Sequence, residues 1–247
     1  ISLTFMKGMS VLRAFDESHS QLTLADIARL TGIERAAVRR LVLTLVHLGY
    51  VRKDHRHFEL APRVLKLGYA FLSANNYQHL IQQVLEDITT ESGESSSLGV
   101  LDGDEVTYVA RSASRQRLMA ITLSVGTRLP AAYTSMGRML LAQKTDDELD
   151  AFIERTTLER FTDKTITDKA ELKRAILQAR QQGYAIVDQE LDSGLRSLAV
   201  PAFDANGELI GAINISTNAA RIDHDTLLER YLPLLQGKAR QIRANVS

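Results

Sequence analysis

The chain has 247 residues, long for one domain and comfortable for two. Hydrophobic residues make up 45% and charged residues 24%, and 30 Lys and Arg balance 30 Asp and Glu, which excludes a disordered or uniformly polyanionic or polycationic chain. Cysteine is absent, which excludes a disulfide framework and a thiolate zinc site and suits a reducing compartment.

In chain order, Leu3–Phe15 carries Leu3, Met6, Met9, Val11, Leu12 and Phe15 mostly at helical spacing. That predicts a first helix, with an apolar side left over for a second copy of the domain. Asp16–Gln21 is a polar loop. Thr23 then caps a second helix, and Asp26 three residues later completes a capping-box pattern. Leu24, Ile27, Ala28 and Leu30 form its apolar side, and Gly32 suits a left-handed turn between two helices. A third helix over Glu34–Leu48 buries Val38, Leu41, Val42 and Leu45, leaving Arg35, Arg39, Arg40, Thr44 and His47 on or near the opposite side. Gly49 ends it. Tyr50–Lys53 and Phe58–Leu60 read as short strands around the tip Asp54-His55-Arg56-His57. This is the pattern of a winged helix-turn-helix, which sets one helix in a DNA major groove.

A helical hairpin with merely solvated arginines is the plain alternative. Against it stand a second-helix face with arginine and no balancing run of acids, the placed turn glycine, and a basic wing directly after. The expected DNA contacts are Arg35, Arg39, Arg40 and Thr44 on the helix, with Arg52, Lys53 and Arg56 of the wing against backbone or minor groove. Thr23, at the start of the second helix, is grouped with them. Residues 1–75 hold 11 Lys and Arg against 6 Asp and Glu, and residues 76–247 hold 19 against 24, so a basic domain is attached to an acidic one. His55 and His57 lack a third ligand nearby and do not make a metal site.

Pro62 suits a first helical turn. The apolar pattern of Arg63–Ala74 predicts a linker helix, broken at Asn75-Asn76, with a further helix over Tyr77–Ser92. The expected organisation is a winged helix-turn-helix over 1–61, a linker helix over 62–76 and an effector-binding domain over 77–247. Beyond Ser95 the period changes to that of strands. Ser96–Leu101 and Val106–Arg111 form a hairpin across Asp102-Gly103-Asp104, and Leu118–Leu123 is a further strand. Gly126–Pro130 reads as a loop, followed by helices over Thr134–Gln143, Asp146–Arg155 and Lys169–Gln182, the last stopped by Gly183. Strands follow at Tyr184–Asp188, Leu198–Phe203 and Leu209–Ser216, then a closing helix over Asp223–Asn245. The fold class is α+β, an antiparallel sheet flanked by helices.

No phosphate loop, dinucleotide fingerprint, HExxH or nucleophile elbow is present, so no enzyme is expected. No apolar run approaches the ~20 residues that span a bilayer. With no signal peptide visible either, a cytoplasmic protein without membrane partners is expected. A small-ligand pocket is the better reading. The helix beginning near Thr134 offers free N–H groups and a positive dipole end to an anion, with hydroxyls from Tyr133, Thr134 and Ser135 beside it. Helix capping by Thr134 or Ser135 explains those residues equally well, and the two roles are compatible. Of Arg111, Arg115 and Arg117, at least one is expected to face inward toward a carboxylate; Arg117 is the one chosen.

Several segments together resemble the IclR family of bacterial transcription regulators over nearly the whole chain. They are LVHLGYVRKD, PRVLKLG, VGTRLPAAYTSMGRMLLA, QQGYAIVDQEL and GLRSLAVPAFDANGELIGAINIS. The run RLMAITLSVGTRLPAAYTSMGRMLLA is most similar to the branch of PcaU, PcaR and PobR-type regulators of protocatechuate and 4-hydroxybenzoate catabolism, within it to the PobR type. The resemblance implies a GAF-like effector domain, a homodimer or dimer of dimers, operator DNA and a small aromatic carboxylate effector as partners, no cofactor or metal, and RNA polymerase if the protein is an activator. It places the effector's carboxylate at backbone N–H groups of Ser135 and Met136, with the facing wall from Leu195, Ser197, Asn214 and Ser216. Val187 stands where relatives often carry an acid, a departure that favours an aromatic ring. The effector is expected to shift the DNA domains between two arrangements through the linker. The alternatives are a repressor or activator of the same family answering protocatechuate, glyoxylate, pyruvate or another small carboxylate, and an architectural DNA binder whose second domain only oligomerises.

Overall fold

The computed structural model describes residues 1–16, 18–73, 78–114 and 123–246, with 71–73 as backbone only. The chain divides into two compact units, Ile1–Asn75 and Asn76–Ser247.

In the first unit, α1 (Leu3–Arg13), α2 (Leu24–Thr31) and α3 (Arg35–His47) close around Val11, Ile27, Val38, Val42 and Leu45. Leu41 is half-buried. The start of α2 is built locally: Thr23 Oγ1 accepts the Asp26 N–H at 3.3 Å, and Asp26 Oδ2 accepts the Thr23 N–H at 3.1 Å. Gly32 turns α2 into α3 at φ +67°, a conformation that a Cβ would strain. Strands β1 (Val51–Asp54) and β2 (His57–Leu60) form the wing, and a Leu22–Phe58 bridge fastens it beside α2. A tight 3₁₀ turn at Pro62–Val64 precedes α4 (Leu65–Ser73), where the sequence pointed to one continuous helix. Arg63 Nη1 donates to the Leu48 carbonyl at 2.6 Å, satisfying a free acceptor past the end of α3 and tying the entry to the linker back to that helix. The expected break at Asn75-Asn76 lies outside the described residues.

The second unit begins with α5 (Gln78–Ser92) and holds one antiparallel sheet. Its strands are β3 (Ser95–Asp102), β4 (Glu105–Ser112), β5 (Arg128–Pro130), β6 (Ala185–Asp188), β7 (Leu195–Phe203) and β8 (Leu209–Asn218). They lie in the order β5-β4-β3-β8-β7-β6. Between β5 and β6 come α6 (Ser135–Leu141), α7 (Asp146–Arg155) and α8 (Lys169–Gln182). After β8 the chain ends in α9 (His224–Thr226), a π-helical turn at Leu227–Tyr231 and α10 (Leu232–Asn245). Ile81, Val84, Leu85 and Ile88 of α5 pack with Leu198, Ile213 and Leu235 on one face of the sheet. Met136, Met139, Phe152, Leu172 and Ile176 fill the other side. The layout is α+β.

The structure corrects three expectations. Arg128–Pro130, read as loop, is an edge strand paired with Glu105–Thr107, and the Arg128 guanidinium reaches Asp102 at 2.7 Å and Glu105 at 2.8 Å. Strand β7 starts at Leu195 rather than Leu198, because Leu195–Ser197 pair with β8 and Arg196 and Ser197 also pair with β6. The closing helix is not uniformly α. Pro233 has no N–H to give to the turn before it, and the chain takes a π turn there before resuming as α10. The expected strand Leu118–Leu123 lies outside the described residues except for its last member.

Candidate functional site

Two surfaces have the residues for a function. The first is a groove between α3 and the wing. Arg35 and Arg39 line it from the helix, Lys53, His55 and Arg56 from the wing, and Thr23 from the start of α2. Arg35, Arg39, Arg40 and Thr44 are all exposed, and the three arginines make no ion pair among the described residues. Val38, Val42 and Leu45 take the buried side of α3, and this leaves the guanidinium groups facing solvent. Thr44 is less free than its position suggests, since its hydroxyl donates to the Arg40 carbonyl at 2.9 Å. Arg52 stands apart. It pairs across the wing with Glu59, Nε to Oε1 at 2.5 Å, on the face away from Lys53, so its charge is partly spent within the protein. Thr23 likewise commits its hydroxyl to Asp26 at 2.6 Å.

The second surface is a hollow between α6, the segment after β6, and the sheet. The space between its lining atoms is about 370 Å³ when the part open to solvent is counted, so the enclosed part is narrow. Ala131–Tyr133 form a 3₁₀ turn that leads into α6, and Thr134 caps that helix by accepting the Gly137 N–H at 3.0 Å. Ser135 and Met136 therefore carry N–H groups of the first turn, for which the helix has no acceptors. The Ser135 hydroxyl is buried, lines the hollow, and has no partner among the described residues. Opposite lie Ser197 of β7 and Asn214 and Ser216 of β8. Asn214 donates to Ser216 Oγ at 3.1 Å, and Asn214 Oδ1 is buried without a partner among the described residues. Val187 and Leu195 line the apolar side.

Not every expected residue presents its side chain to the hollow. Met136 is not among the residues lining the hollow, and its sulfur lies 3.0 Å from where a Cβ on Gly99 of the sheet would be. Tyr133 contributes its ring, but its hydroxyl already accepts the Glu159 N–H at 2.6 Å. Arg117 lies outside the described residues. The structure adds residues that sequence reasoning missed: Tyr108, Leu123, Leu129, Glu190 and Leu191. Tyr108 is buried, and burial pushes its phenol up to about 12, so it remains a neutral donor. Strand alternation from Val106 would have put Tyr108 on an inner face. Glu190 had no such signal. Its carboxylate is buried against Arg138 of α6, Nη1–Oε1 2.7 Å and Nη2–Oε2 2.5 Å, and a partner 52 positions away leaves no trace in local pattern.

Among the described residues no group of three His, Cys, Asp or Glu could hold a metal ion, and no helix is long and apolar enough to cross a membrane. Exposed arginines over a groove suit a polyanion. A mostly apolar hollow with orphaned hydroxyl and amide oxygens suits a small molecule bearing hydrogen-bond donors and acceptors.

Comparison with known proteins bears on both surfaces. Residues 4–55 match the IclR helix-turn-helix domain, and residues 69–244 match the C-terminal domain of bacterial IclR transcriptional regulators. The Pca regulon regulatory protein of Pseudomonas putida is 43% identical over 96% of this chain and 81% of its own length. A crystal structure of a transcriptional regulator from Rhodococcus sp. RHA1 is 44% identical, covers 100% of this chain and 98% of that one, and superposes with a TM-score of 0.85. The inducer-binding domain of the PobR transcription factor from Acinetobacter, solved as a double mutant with 3-hydroxybenzoic acid, is 32% identical over 67% of this chain and 96% of its own, with a TM-score of 0.62. Identity is thus higher to the Pca regulator than to PobR.

Proposed function

Since the chain belongs to the IclR family of bacterial transcriptional regulators, we propose that it controls genes of aromatic acid catabolism in response to a small aromatic carboxylate, with 4-hydroxybenzoate the first candidate. The observation that carries this is the pair of buried oxygens without a partner among the described residues, Ser135 Oγ and Asn214 Oδ1, on residues that line one hollow with Val187, Leu191 and Leu195. Orphaned buried polar atoms are costly, and a ligand that hydrogen-bonds both removes the cost. The ring lies against the aliphatic wall. Ser197, Asn214, Ser216 and the N–H groups of Ser135 and Met136 supply the polar contacts. Val187, in place of an acid, keeps that wall apolar.

The groove of the first unit holds operator DNA. Arg35, Arg39 and Arg40 of α3 lie in the major groove, and Lys53 and Arg56 of the wing meet phosphate or the minor groove. The exposed apolar residues Leu3, Phe5, Met6 and Met9 of α1 pack on a second copy, giving a homodimer or a dimer of dimers. A Phe5→Glu variant that kept the wild-type mass by light scattering would tell against that interface. The protein acts in the cytoplasm as an activator that engages RNA polymerase, and transcription from a purified promoter with and without the acid decides the sign.

A second reading has a specific observation in its favour. The 43% identity to a Pca regulon regulator, against 32% to the PobR inducer-binding domain, supports a pca-type regulator answering protocatechuate or a related carboxylate. Calorimetric titration of the full chain with 4-hydroxybenzoate, protocatechuate and glyoxylate separates the two. Saturable binding that favours 4-hydroxybenzoate supports the first reading, a preference for protocatechuate the second, and no heat with any of them defeats the account of the hollow.

A further inference from the structure

We propose that Arg111 holds the effector's carboxylate; the proposal rests on the reading of the hollow as an effector site and names the residue that selects an acid. The register of the sheet sets Arg111 on the face that carries the hollow, outside the residues that line it. Ser96 turns toward α5, its hydroxyl bonded to the Leu85 carbonyl at 2.8 Å, so its neighbour Ser97 faces the opposite side, that of the hollow. Ser97 pairs with Arg111 on β4 and with Asn214 on β8. A bulge at Leu98/Gly99 shifts the register so that Tyr108, which lines the hollow, faces the same side as Arg111. Arg111, Ser97 and Asn214 therefore form one transverse row across three strands, running from a cation to an orphaned amide oxygen.

Among the described residues the charge at the end of that row is uncompensated. Arg111 Nη1 donates to Ser97 Oγ at 3.1 Å, and no carboxylate of the described residues lies within ion-pairing distance of it. Two other buried or half-buried arginines described in this unit are matched, Arg138 with Glu190 and Arg196 with Asp188. Burial disfavours the charged form of Arg111, yet a guanidinium does not give up its proton in a protein. A half-buried cation without a counter-ion is an incomplete site, and a bidentate carboxylate completes it using the donors that Ser97 leaves free. The start of α6 competes for the same group. Backbone N–H groups there also make charge-assisted bonds to a carboxylate, but with a partial charge behind them, whereas Arg111 brings a full charge and a fork matched to two carboxylate oxygens.

The test compares an acid with its neutral isostere. The full-length wild type, Arg111→Gln and Arg111→Lys are titrated with 4-hydroxybenzoate and 4-hydroxybenzamide, and with the 3,4-dihydroxy pair, while thermal unfolding without ligand reports folding. The wild type is expected to prefer acid over amide by about tenfold or more. Arg111→Gln loses the preference by binding the acid more weakly, and Arg111→Lys keeps the charge but binds the acid several-fold more weakly for want of the bidentate fork. If Arg111→Gln does not fold, unchanged acid affinity in Arg111→Lys overturns the assignment. A preference retained in Arg111→Gln overturns it too. So does its loss in Ser135→Pro alone, which would move the carboxylate to the start of α6. A wild type that binds none of the four compounds overturns the effector reading itself and, with it, this assignment.

Discussion

Arg138 and Glu190, 52 residues apart in the chain, form a doubly hydrogen-bonded ion pair whose side chains are 4% and 8% exposed. Arg138 Nε also donates to the Ala132 carbonyl at 2.9 Å, and Glu190 Oε2 accepts the Ile166 N–H at 3.3 Å. The pair thus ties α6 and the 3₁₀ turn before it to the segment that closes the hollow after β6. Removing one partner leaves the other as an uncompensated buried charge. Glu190→Gln should cost about 3–5 kcal/mol in urea unfolding. A double replacement of Arg138 and Glu190 by apolar residues should recover much of that loss, because the desolvation cost then disappears for both. Equal losses in the single and double variants would refute this account of the pair.

Gly137 sits where α6 leaves the 3₁₀ turn. A Cβ there would lie 2.2 Å from the Ala131 carbonyl oxygen and 2.4 Å from the Ala131 Cα. Both are backbone atoms, so no rotamer change relieves the clash. Gly137→Ala should destabilise by about 1–3 kcal/mol or more and displace Ser135 from the hollow. Calorimetry would then show effector binding lost while operator binding by the first unit persists.

For the DNA face, Arg39→Ala should weaken operator binding by about 1–3 kcal/mol if the guanidinium reads a base, with effector heats unchanged. Arg56→Ala should weaken all sequences alike and reduce the salt dependence. Arg52→Ala should do less than either, since Arg52 is already paired with Glu59. Mobility-shift titrations at two salt concentrations read all three, and a larger loss in Arg52→Ala than in Arg39→Ala would contradict the groove assignment.

Asp188 links the end of β6 to its surroundings. Burial raises its pKa, but hydrogen bonds from Arg196, Lys164 and Gln189 outweigh it and hold the carboxyl at about 2, below its ordinary 3.8. A depressed folded-state value means the group stabilises the fold in full above about pH 4 and loses that contribution as pH falls toward 2. Unfolding midpoints of the wild type and Asp188→Asn should differ near neutrality and converge in acid. A constant difference across that window would exclude the linkage.

Local chemistry made much of this fold legible in the sequence. The bounds of α7 and α8 follow from Thr145 with Glu148 at one start, Asp168 at the other, and Gly183 at φ +78° as a stop, each a signal carried within four residues. The winged motif was legible for the same reason: Thr23, Gly32 and the spacing of Val38, Val42 and Leu45 act within single turns. The order of predicted elements was enough for the α+β class, and the family resemblance rested on segments such as VGTRLPAAYTSMGRMLLA. Tertiary structure alone decided the rest. Arg128–Pro130 is a strand because Glu105–Thr107 offer it an edge to pair with, and its own three residues carry no period to announce that. Arg52 reads as another basic wing residue until the register sets Glu59 beside it. Which residues surround the hollow depends on strand order and on one bulge between Leu98 and Gly99, which turns Tyr108 and Arg111 to a common face. Pairing energies between residues tens of positions apart arise only once the sheet has formed, so they leave no periodic mark on the chain.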